Sequence, residues 1–253
     1  MASSYVVTGG ARGVGRAIAV RLADRGHVIV VDREAGDLGW TEARAGVESV
    51  VGDAADDATL DEAVLRASSS GLLSGWVNNA AIFRDAAVHD TSAAEIVDLI
   101  AANLRLAVAG SGAAIRRFLL DGTDGAIVNV SSHQAQRAIP GALPYSTAKA
   151  AVEGLTRALA VDYAAAGIRV NAVALGSIIT ERYDDALDAE LRRLHPLGRV
   201  GRGAEVAAVV DHLLSSDASF VTGTVVPVDG GRAALGQDPE ARDVTARSRG
   251  RVI

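Results

Sequence analysis

Short, almost fully apolar runs alternate along the chain with longer segments whose apolar residues recur at helical spacing. The apolar runs predict buried strands at 5–7, 27–31, 47–51, 76–77, 126–130 and 168–174. The periodic segments predict helices that end near Gly26, cover 58–68 and 93–120, follow Pro144, and cover 204–214. This alternation favours a parallel sheet with helices on both faces.

A glycine-rich loop separates the first predicted strand from the first predicted helix. Gly9, Gly13 and Gly15 follow the strand in the order G-x-x-x-G-x-G, which differs from the standard G-x-G-x-x-G. In this context glycines let the backbone approach a pyrophosphate, and the helix N-terminus offers free N–H groups. We therefore predict a dinucleotide site here, with an ordinary tight turn as the alternative.

An acidic residue ends the second predicted strand. Asp32 lies 17 residues beyond Gly15, where a carboxylate can accept hydrogen bonds from the adenosine ribose hydroxyls. Its charge would repel a 2′-phosphate, whereas Arg12 and Arg33 could bind one. NAD is therefore the predicted cofactor, and NADP is less favoured. Asp53, after the third strand, is a candidate for adenine contact or an ordinary loop acid.

Tyr145 and Lys149 lie four residues apart at the start of the predicted helix, which places them on one helix face. A phenol titrates near ~10, and lowering that pKa by about three units takes ~4 kcal/mol. An ammonium about 4 Å away supplies ~4 kcal/mol at an effective dielectric constant of about 20. We therefore expect Lys149 to lower the pKa of Tyr145, unless the pair is only a surface phenol and a solvated ammonium.

Composition narrows the classes of function. The 49% hydrophobic content supports a buried core, while 4% aromatic residues and a net charge of −6 argue against nucleic acid or an anionic membrane as partner. Without cysteine there are no disulfides or thiolate metal ligands, and the five histidines show no ligand spacing, so we predict no metal. With no signal-like start and no apolar run near ~20 residues, we expect a cytoplasmic chain that does not cross a membrane.

Three motifs together resemble the short-chain dehydrogenase/reductase family. They are Thr-Gly-x-x-x-Gly-x-Gly from Thr8, Asn-Asn-Ala from Asn78 and Tyr-x-x-x-Lys from Tyr145. The resemblance covers about 4–236 and implies an α/β fold, a Rossmann-type doubly wound parallel sheet in three α/β/α layers, and a homotetramer or homodimer. It also implies one NAD(P)-binding domain at 1–236 that contains the catalytic site. A tail at 237–253 would then be flexible or lie at a subunit interface.

The resemblance also assigns roles to matching residues. Ser132 lies 13 residues before Tyr145 and is assigned the hydrogen bond to the reacting oxygen, in preference to Ser131. Asn103 is expected to disrupt its helix locally and to hold a water that links to Lys149. The further implied cofactor contacts are Val14, Asn79, Ala80, Gly176, Ile178 and Thr180, with Tyr145 and Lys149.

Two residues depart from the family pattern in the cofactor loops. Leu175 replaces a proline that would fix the backbone, and Ala81 replaces a glycine. If position 81 needs a positive φ, alanine there costs about 1–2 kcal/mol. We expect effects on geometry and affinity more than on activity.

These features predict hydride transfer between NAD(P) and a secondary alcohol or ketone, with Tyr145 exchanging the proton. The alternatives are an NADPH-dependent ketone or 3-oxoacyl reductase, and a non-catalytic nucleotide-binding sensor or scaffold. The polar side chains expected around the pocket favour a small-molecule substrate such as a polyol, a sugar or a hydroxy acid. The expected pocket residues are Phe83, Arg84, His133, Gln134, Arg182 and Tyr183. The amphipathic segment 181–202 is a candidate lid.

Overall fold

The structure is a computed structural model that describes residues 2–236 and 240. The predicted tail at 237–253 lies outside the described residues, apart from Glu240. The strands are β1 (Ser3–Thr8), β2 (His27–Asp32), β3 (Val47–Val51), β4 (Leu72–Asn78), β5 (Gly125–Ser132), β6 (Ile168–Leu175), β7 (Ile178–Ile179), β8 (Gly201–Arg202) and β9 (Val225–Val228). The helices are α1 (Gly13–Leu22), α2 (Asp57–Ser70), α3 (Ala93–Asp121), α4 (Leu143–Tyr163), α5 (Asp188–Arg193) and α6 (Gly203–Leu214).

Seven strands form one parallel sheet in the order β3-β2-β1-β4-β5-β6-β9, and β7 pairs with β8 separately. The chain leaves β1 toward β2 on one side and later returns to β4 on the other. In open parallel sheets, a crevice forms outside the carboxyl ends of the strands at such a switch point. The topology therefore locates the ligand site at the carboxyl ends of β1 and β4.

Helices cover both faces of this sheet. Alternate β1 residues point to opposite sides, so Val7 packs in the core with α1 and α6, whereas Val6 packs in the core with α2 and α3. Both faces are buried, which explains why the strands are continuously apolar. The predicted Rossmann-type, three-layer α/β/α fold is confirmed.

Several predicted boundaries shift in the structure. β4 begins at Leu72, four residues before the predicted start, because Gly75 fits closely against the Tyr5 ring and continues the ladder with β1. The family resemblance also implies a last strand and turn at 221–231, of which the strand β9 covers only Val225–Val228. Before it, Thr222 Oγ1 accepts a hydrogen bond from the Val170 amide, a side-chain contact in place of a strand ladder.

Helix α3 is long because capping and burial both support it. The Ser92 side chain accepts a hydrogen bond from the Glu95 amide at its start, and Gly122 ends it in a left-handed conformation. Within the described residues it is also the one helix long and apolar enough to cross a membrane, a feature the sequence prediction missed. In this fold 44% of its most apolar window is buried.

Candidate active site

A cleft of about 720 Å³ lies at the carboxyl ends of the central strands. Every cofactor residue proposed from the sequence lines it: Gly9, Arg12, Gly13, Val14, Gly15, Asp32, Arg33, Asp53, Asn79, Ala80, Tyr145, Lys149, Gly176, Ile178 and Thr180. These residues come from loops far apart in sequence. The parallel sheet brings them together, because all its strands end at one edge.

The glycine-rich loop is shaped for close backbone approach. A Cβ at Gly15 would lie 2.2 Å from the Gly9 carbonyl oxygen and 2.5 Å from Asn79 Nδ2, so only glycine fits. Gly13 begins α1 with φ of 56°, and the N-cap residue Arg12 makes no side-chain capping hydrogen bond. The N–H groups in the first turn of α1 therefore have no side-chain capping partner where they face the cleft. These free backbone donors fit a pyrophosphate.

Asp32 is held rigidly at the end of β2. Its Oδ2 accepts a hydrogen bond from the Ala11 amide at 3.0 Å, and its Oδ1 accepts one from the Glu34 amide at 3.3 Å. This carboxylate fits the ribose of an adenosine.

The two arginines on this side of the cleft are both paired with carboxylates. Arg12 lies 3.3 Å from Asp37, and Arg33 lies 3.7 Å from Asp53. Asp53 also accepts a hydrogen bond from the Ala55 amide at 2.9 Å. Both ion pairs are exposed and therefore weak.

Tyr145 and Lys149 project from the first turns of α4, as their spacing predicts. Lys149 Nζ lies 5.4 Å from the centre of the Tyr145 ring and donates a 2.7 Å hydrogen bond to the Val130 carbonyl oxygen. The Phe83 ring stacks on Tyr145 with centroids 4.8 Å apart. The phenol is therefore held between the cleft wall and an aromatic neighbour.

The expected effect of Lys149 on Tyr145 is not what the structure shows. Burial raises the pKa of Tyr145 to about 12, and a hydrogen bond with Ser132 opposes that rise only in part. Burial also lowers the pKa of Lys149 to about 8. Desolvation of the two side chains outweighs the attraction between their charges, because burial disfavours the charged form of each. Lys149 by itself therefore does not lower the phenol's pKa.

The two serines that end β5 have different partners. Ser131 Oγ donates to the buried carboxylate of Glu153 at 3.0 Å. Ser132 Oγ accepts from the Gln134 amide at 3.2 Å and shares the hydrogen bond with Tyr145. The geometry favours Ser132 over Ser131 as the hydroxyl beside the phenol.

Asn103 does not line the cleft, and α3 continues through it without a break. Its Oδ1 accepts from the Ile82 amide at 2.9 Å, and its Nδ2 donates to the Ile82 carbonyl at 3.0 Å and the Leu99 carbonyl at 3.3 Å. The expected local disruption of the helix is wrong, because these bonds satisfy the amide without distorting the helix. Asn103 instead fastens the segment after β4, which lines the cleft.

The two departures from the family pattern cause no visible strain. Among residues 2–236, every residue with positive φ is a glycine, so Ala81 needs no special conformation. Leu175 is the last residue of β6, in register with Val228, and its carbonyl oxygen lies 3.1 Å from His133 Nδ1. Strand pairing therefore holds the position where the family has proline.

The expected substrate residues divide into two groups. His133, Gln134, Arg182 and Phe83 line the cleft. Arg84 and Tyr183 do not, which corrects the prediction. Arg84 pairs with Glu95 at 2.9 Å, and the Tyr183 hydroxyl donates to Asp188 at 2.5 Å, so both side chains are drawn to neighbouring acids.

The sequence analysis gave no site role to several cleft residues, among them Ile139 and Arg232. Arg232 follows Gly230 and Gly231 directly after the last strand. Its position in the chain was a usable signal, because a loop after a parallel strand opens at the same edge as the other loops. Among the described residues, no group of three or more His, Asp or Glu side chains is arranged to hold a metal.

A glycine-rich loop, a carboxylate at the end of β2 and a phenol beside a hydroxyl and an ammonium line one cleft, an arrangement that fits a nucleotide-dependent oxidoreductase. The family model described as enoyl-(acyl carrier protein) reductase matches residues 9–233. The chain therefore belongs to the short-chain dehydrogenase/reductase family, and the resemblance of its motifs is confirmed.

Named relatives are similar over nearly the whole chain. Levodione reductase of Leifsonia aquatica is 36% identical over 250 residues, covering 90% of this chain and 93% of the relative. The 3-oxoacyl-(acyl-carrier-protein) reductase of Staphylococcus aureus is 35% identical, covering 91% and 98%. A solved structure assigned as a 2-deoxy-D-gluconate 3-dehydrogenase from Agrobacterium tumefaciens, with bound NADP, superposes with a TM-score of 0.80 at 32% identity, covering 92% and 97%.

These similarities show that the chain is an NAD(P)-dependent oxidoreductase that acts on CH–OH groups and the corresponding ketones. They favour an enzyme over the non-catalytic nucleotide sensor.

Proposed function

We propose that the chain interconverts a polar secondary alcohol and its ketone, with NAD as the preferred cofactor. One observation carries this proposal. Ser132, Tyr145 and Lys149 line the same cleft as the glycine-rich loop and Asp32. The proton-transfer groups and the dinucleotide-binding residues thus share one space.

The chain's residues handle the proton and the reacting oxygen. The nicotinamide, when bound, supplies the hydride chemistry. In the oxidation, Tyr145 ionised as the phenolate takes the proton of the substrate hydroxyl and becomes the neutral phenol, and in the reduction the phenol gives that proton to the carbonyl oxygen. Ser132 Oγ orients this oxygen through a hydrogen bond.

Lys149 supports the phenol by charge. With a pKa of about 8 it keeps its proton at neutral pH, and its ammonium lies 5.4 Å from the Tyr145 ring centre. Burial alone leaves the pKa of Tyr145 at about 12. The charge of Lys149 and the positive charge of an oxidised nicotinamide would together favour the phenolate. From the family resemblance, we also assign Lys149 the ribose hydroxyls. Asn103 would take part in positioning a relay water only through the Ile82 segment that it anchors.

Asp32 supports NAD over NADP, because its carboxylate is held by the Ala11 and Glu34 amides and would repel a 2′-phosphate. The competing function is an NADPH-dependent ketone or 3-oxoacyl reductase, which the NADP-bound relative favours. Comparing Kd for NAD⁺ and NADP⁺ by fluorescence titration separates the two. A lower Kd for NADP⁺ would favour the reductase.

A panel of secondary alcohols with NAD⁺, followed at the NADH absorbance, tests the oxidation directly. Tyr145→Phe should retain cofactor affinity and lose about 10²- to 10⁴-fold in turnover, because it removes the proton acceptor. Tyr163→Phe, at the end of the same helix, is the matched control and should behave as the wild type. Wild-type turnover in Tyr145→Phe would eliminate the assignment.

We also propose, from the family resemblance, a single domain at 1–236 and a cytoplasmic homotetramer or homodimer. The sedimentation coefficient of the purified protein tests the assembly.

A further inference from the structure

Arg232 brings a positive charge into the cleft without an acidic partner. Its Nη1 donates a 2.9 Å hydrogen bond to the neutral Ser177 hydroxyl, and no carboxylate among the described residues lies within ion-pair distance. The side chain is partly buried, and burial lowers its pKa. A partly buried cation with only a neutral partner has unused capacity for an anion.

The acid nearest in sequence is already occupied. Asp229 accepts hydrogen bonds from the Gly231 amide at 2.9 Å and the Ala233 amide at 2.7 Å. Its carboxylate thus stabilises the turn that carries Arg232, although its charge still acts on the guanidinium. The turn therefore places Arg232 at the cleft without an ion pair between its guanidinium and Asp229.

The other arginines of the cleft differ from Arg232. Arg12 and Arg33 pair with acids beside the glycine-rich loop and Asp32. Arg182 is exposed, with its guanidinium carbon 5.3 Å from the centre of the Phe83 ring. Arg232 is therefore the cleft arginine that combines partial burial with the lack of a described acidic partner.

His133 places Arg232 on the substrate side of the cleft. His133 directly follows Ser132 in sequence, and both His133 and Arg232 line the cleft. Burial lowers the pKa of His133, and the charge of Arg232 lowers it further. The Nδ1 of His133 faces the Leu175 carbonyl and must donate to it, so Nε2 of the neutral ring is an acceptor. That buried Nε2 has no hydrogen-bond partner among the described residues. The region beside Ser132 is thus polar and incompletely satisfied.

We infer that Arg232 selects a substrate with a carboxylate, so that the enzyme acts on a hydroxy acid and the matching oxo acid. The guanidinium binds the carboxylate, while the secondary hydroxyl of the same molecule reaches Ser132 and Tyr145. A guanidinium has the planar geometry to bind a carboxylate through two parallel hydrogen bonds. This inference rests on the proposed function and narrows its substrate class.

The test uses 2-, 3- and 4-hydroxy acids of four to six carbons, each compared with its neutral amide. Wild-type enzyme should show higher kcat/KM for at least one acid than for its amide. Arg232→Gln should raise KM for that acid on the order of 10- to 100-fold and leave the amide nearly unchanged, as expected for loss of a charged hydrogen bond. Arg232→Lys should restore part of the loss.

The control variant is Arg105→Gln, which removes the same charge from an exposed position on α3. Its kinetics should match the wild type for acid and amide. The Kd for NAD⁺ and the melting temperature show whether each variant is folded and binds cofactor.

Three outcomes would overturn the inference: equal use of acids and amides by the wild type, an equal loss for both in Arg232→Gln, or a loss of acid preference in Arg182→Gln instead. If no compound is turned over, the proposed function fails separately. Calorimetric titration of the acids into the NAD⁺-saturated protein then tests whether Arg232 binds a carboxylate. Binding lost in Arg232→Gln supports the anion site, and equal binding in both proteins contradicts it.

Discussion

The ammonium of Lys149 donates a 2.7 Å hydrogen bond to the carbonyl oxygen of Val130, two residues before Ser132 on the same strand. β5 therefore orients the lysine with one residue and carries the serine with another. This contact also explains how an ammonium is tolerated in a fully buried position, since a buried charge requires a hydrogen-bond acceptor.

Lys149 is the only lysine in the chain, so its pKa can be measured without overlap. In a protein labelled with ¹⁵N-lysine, the Nζ resonance should titrate at a pKa of about 8, below the ordinary value of 10.5, because burial disfavours the charged form. A midpoint at or above 10.5 would show that Lys149 is solvated and would contradict its buried position.

Replacing Lys149 should stabilise the fold while abolishing activity. Lowering its pKa from 10.5 to about 8 corresponds to a cost of about 3 kcal/mol. Below pH 8 both folded and unfolded states hold the proton and the full cost is present. Between pH 8 and 10.5 only the unfolded lysine keeps it, so the cost fades.

Lys149→Met should therefore raise the free energy of unfolding at pH 7 by about 1–3 kcal/mol, the loss of the Val130 contact offsetting part of the gain. Urea denaturation at pH 7 and pH 10 measures the difference, which should shrink at the higher pH. A destabilised variant at pH 7, or a difference that grows with pH, would show that the ammonium is not costly to bury.

Asn103 should act through Ile82. Asn103→Leu keeps the side-chain volume but removes both hydrogen bonds to the Ile82 backbone. We expect the free energy of unfolding to fall by about 1–3 kcal/mol and KM to rise, because the segment lining the cleft loses its anchor. A lower kcat with unchanged stability would indicate a role in proton relay alone.

Gly15 should tolerate no side chain. The Cβ of Gly15→Ala would meet backbone atoms of Gly9 and the Asn79 side chain, so the loop must shift. We expect the Kd for NAD⁺ to rise by about tenfold or more, because the phosphate-binding loop loses its shape. Gly154→Ala in α4 is the matched control. Nothing lies within 4 Å of its added Cβ, and the change should stabilise the helix by about 0.5–1 kcal/mol without affecting affinity.

Asp32 should control the choice between the two nicotinamide cofactors. Asp32→Asn keeps an oxygen for the Ala11 or Glu34 amide but removes the charge that repels a 2′-phosphate. We expect the ratio of Kd for NADP⁺ to Kd for NAD⁺ to fall by about tenfold or more. Asp24→Asn removes an exposed charge paired with Arg44 and should leave the ratio unchanged. An unchanged ratio in Asp32→Asn would remove Asp32 as the determinant.

Most of the fold could be predicted from local sequence patterns. Alternating apolar runs located six of the seven strands of the main sheet to within a few residues, because strands buried on both faces must be continuously apolar. The errors lie at ends such as Leu72 and Val225. At these two ends, the packing of Gly75 on Tyr5 and the hydrogen bond that Thr222 accepts from the Val170 amide decide where strand pairing begins.

The sequence by itself determined the family, the fold and the chemical groups at the site, since these depend on residue order, on the i, i+4 spacing of Tyr145 and Lys149, and on glycine loops next to strands. Only the tertiary structure decided which charges share the cleft. It admitted Arg232, excluded Arg84 and Tyr183, and raised the pKa of Tyr145. Strand order and burial set these outcomes, because a pKa depends on solvation and on neighbours distant in sequence.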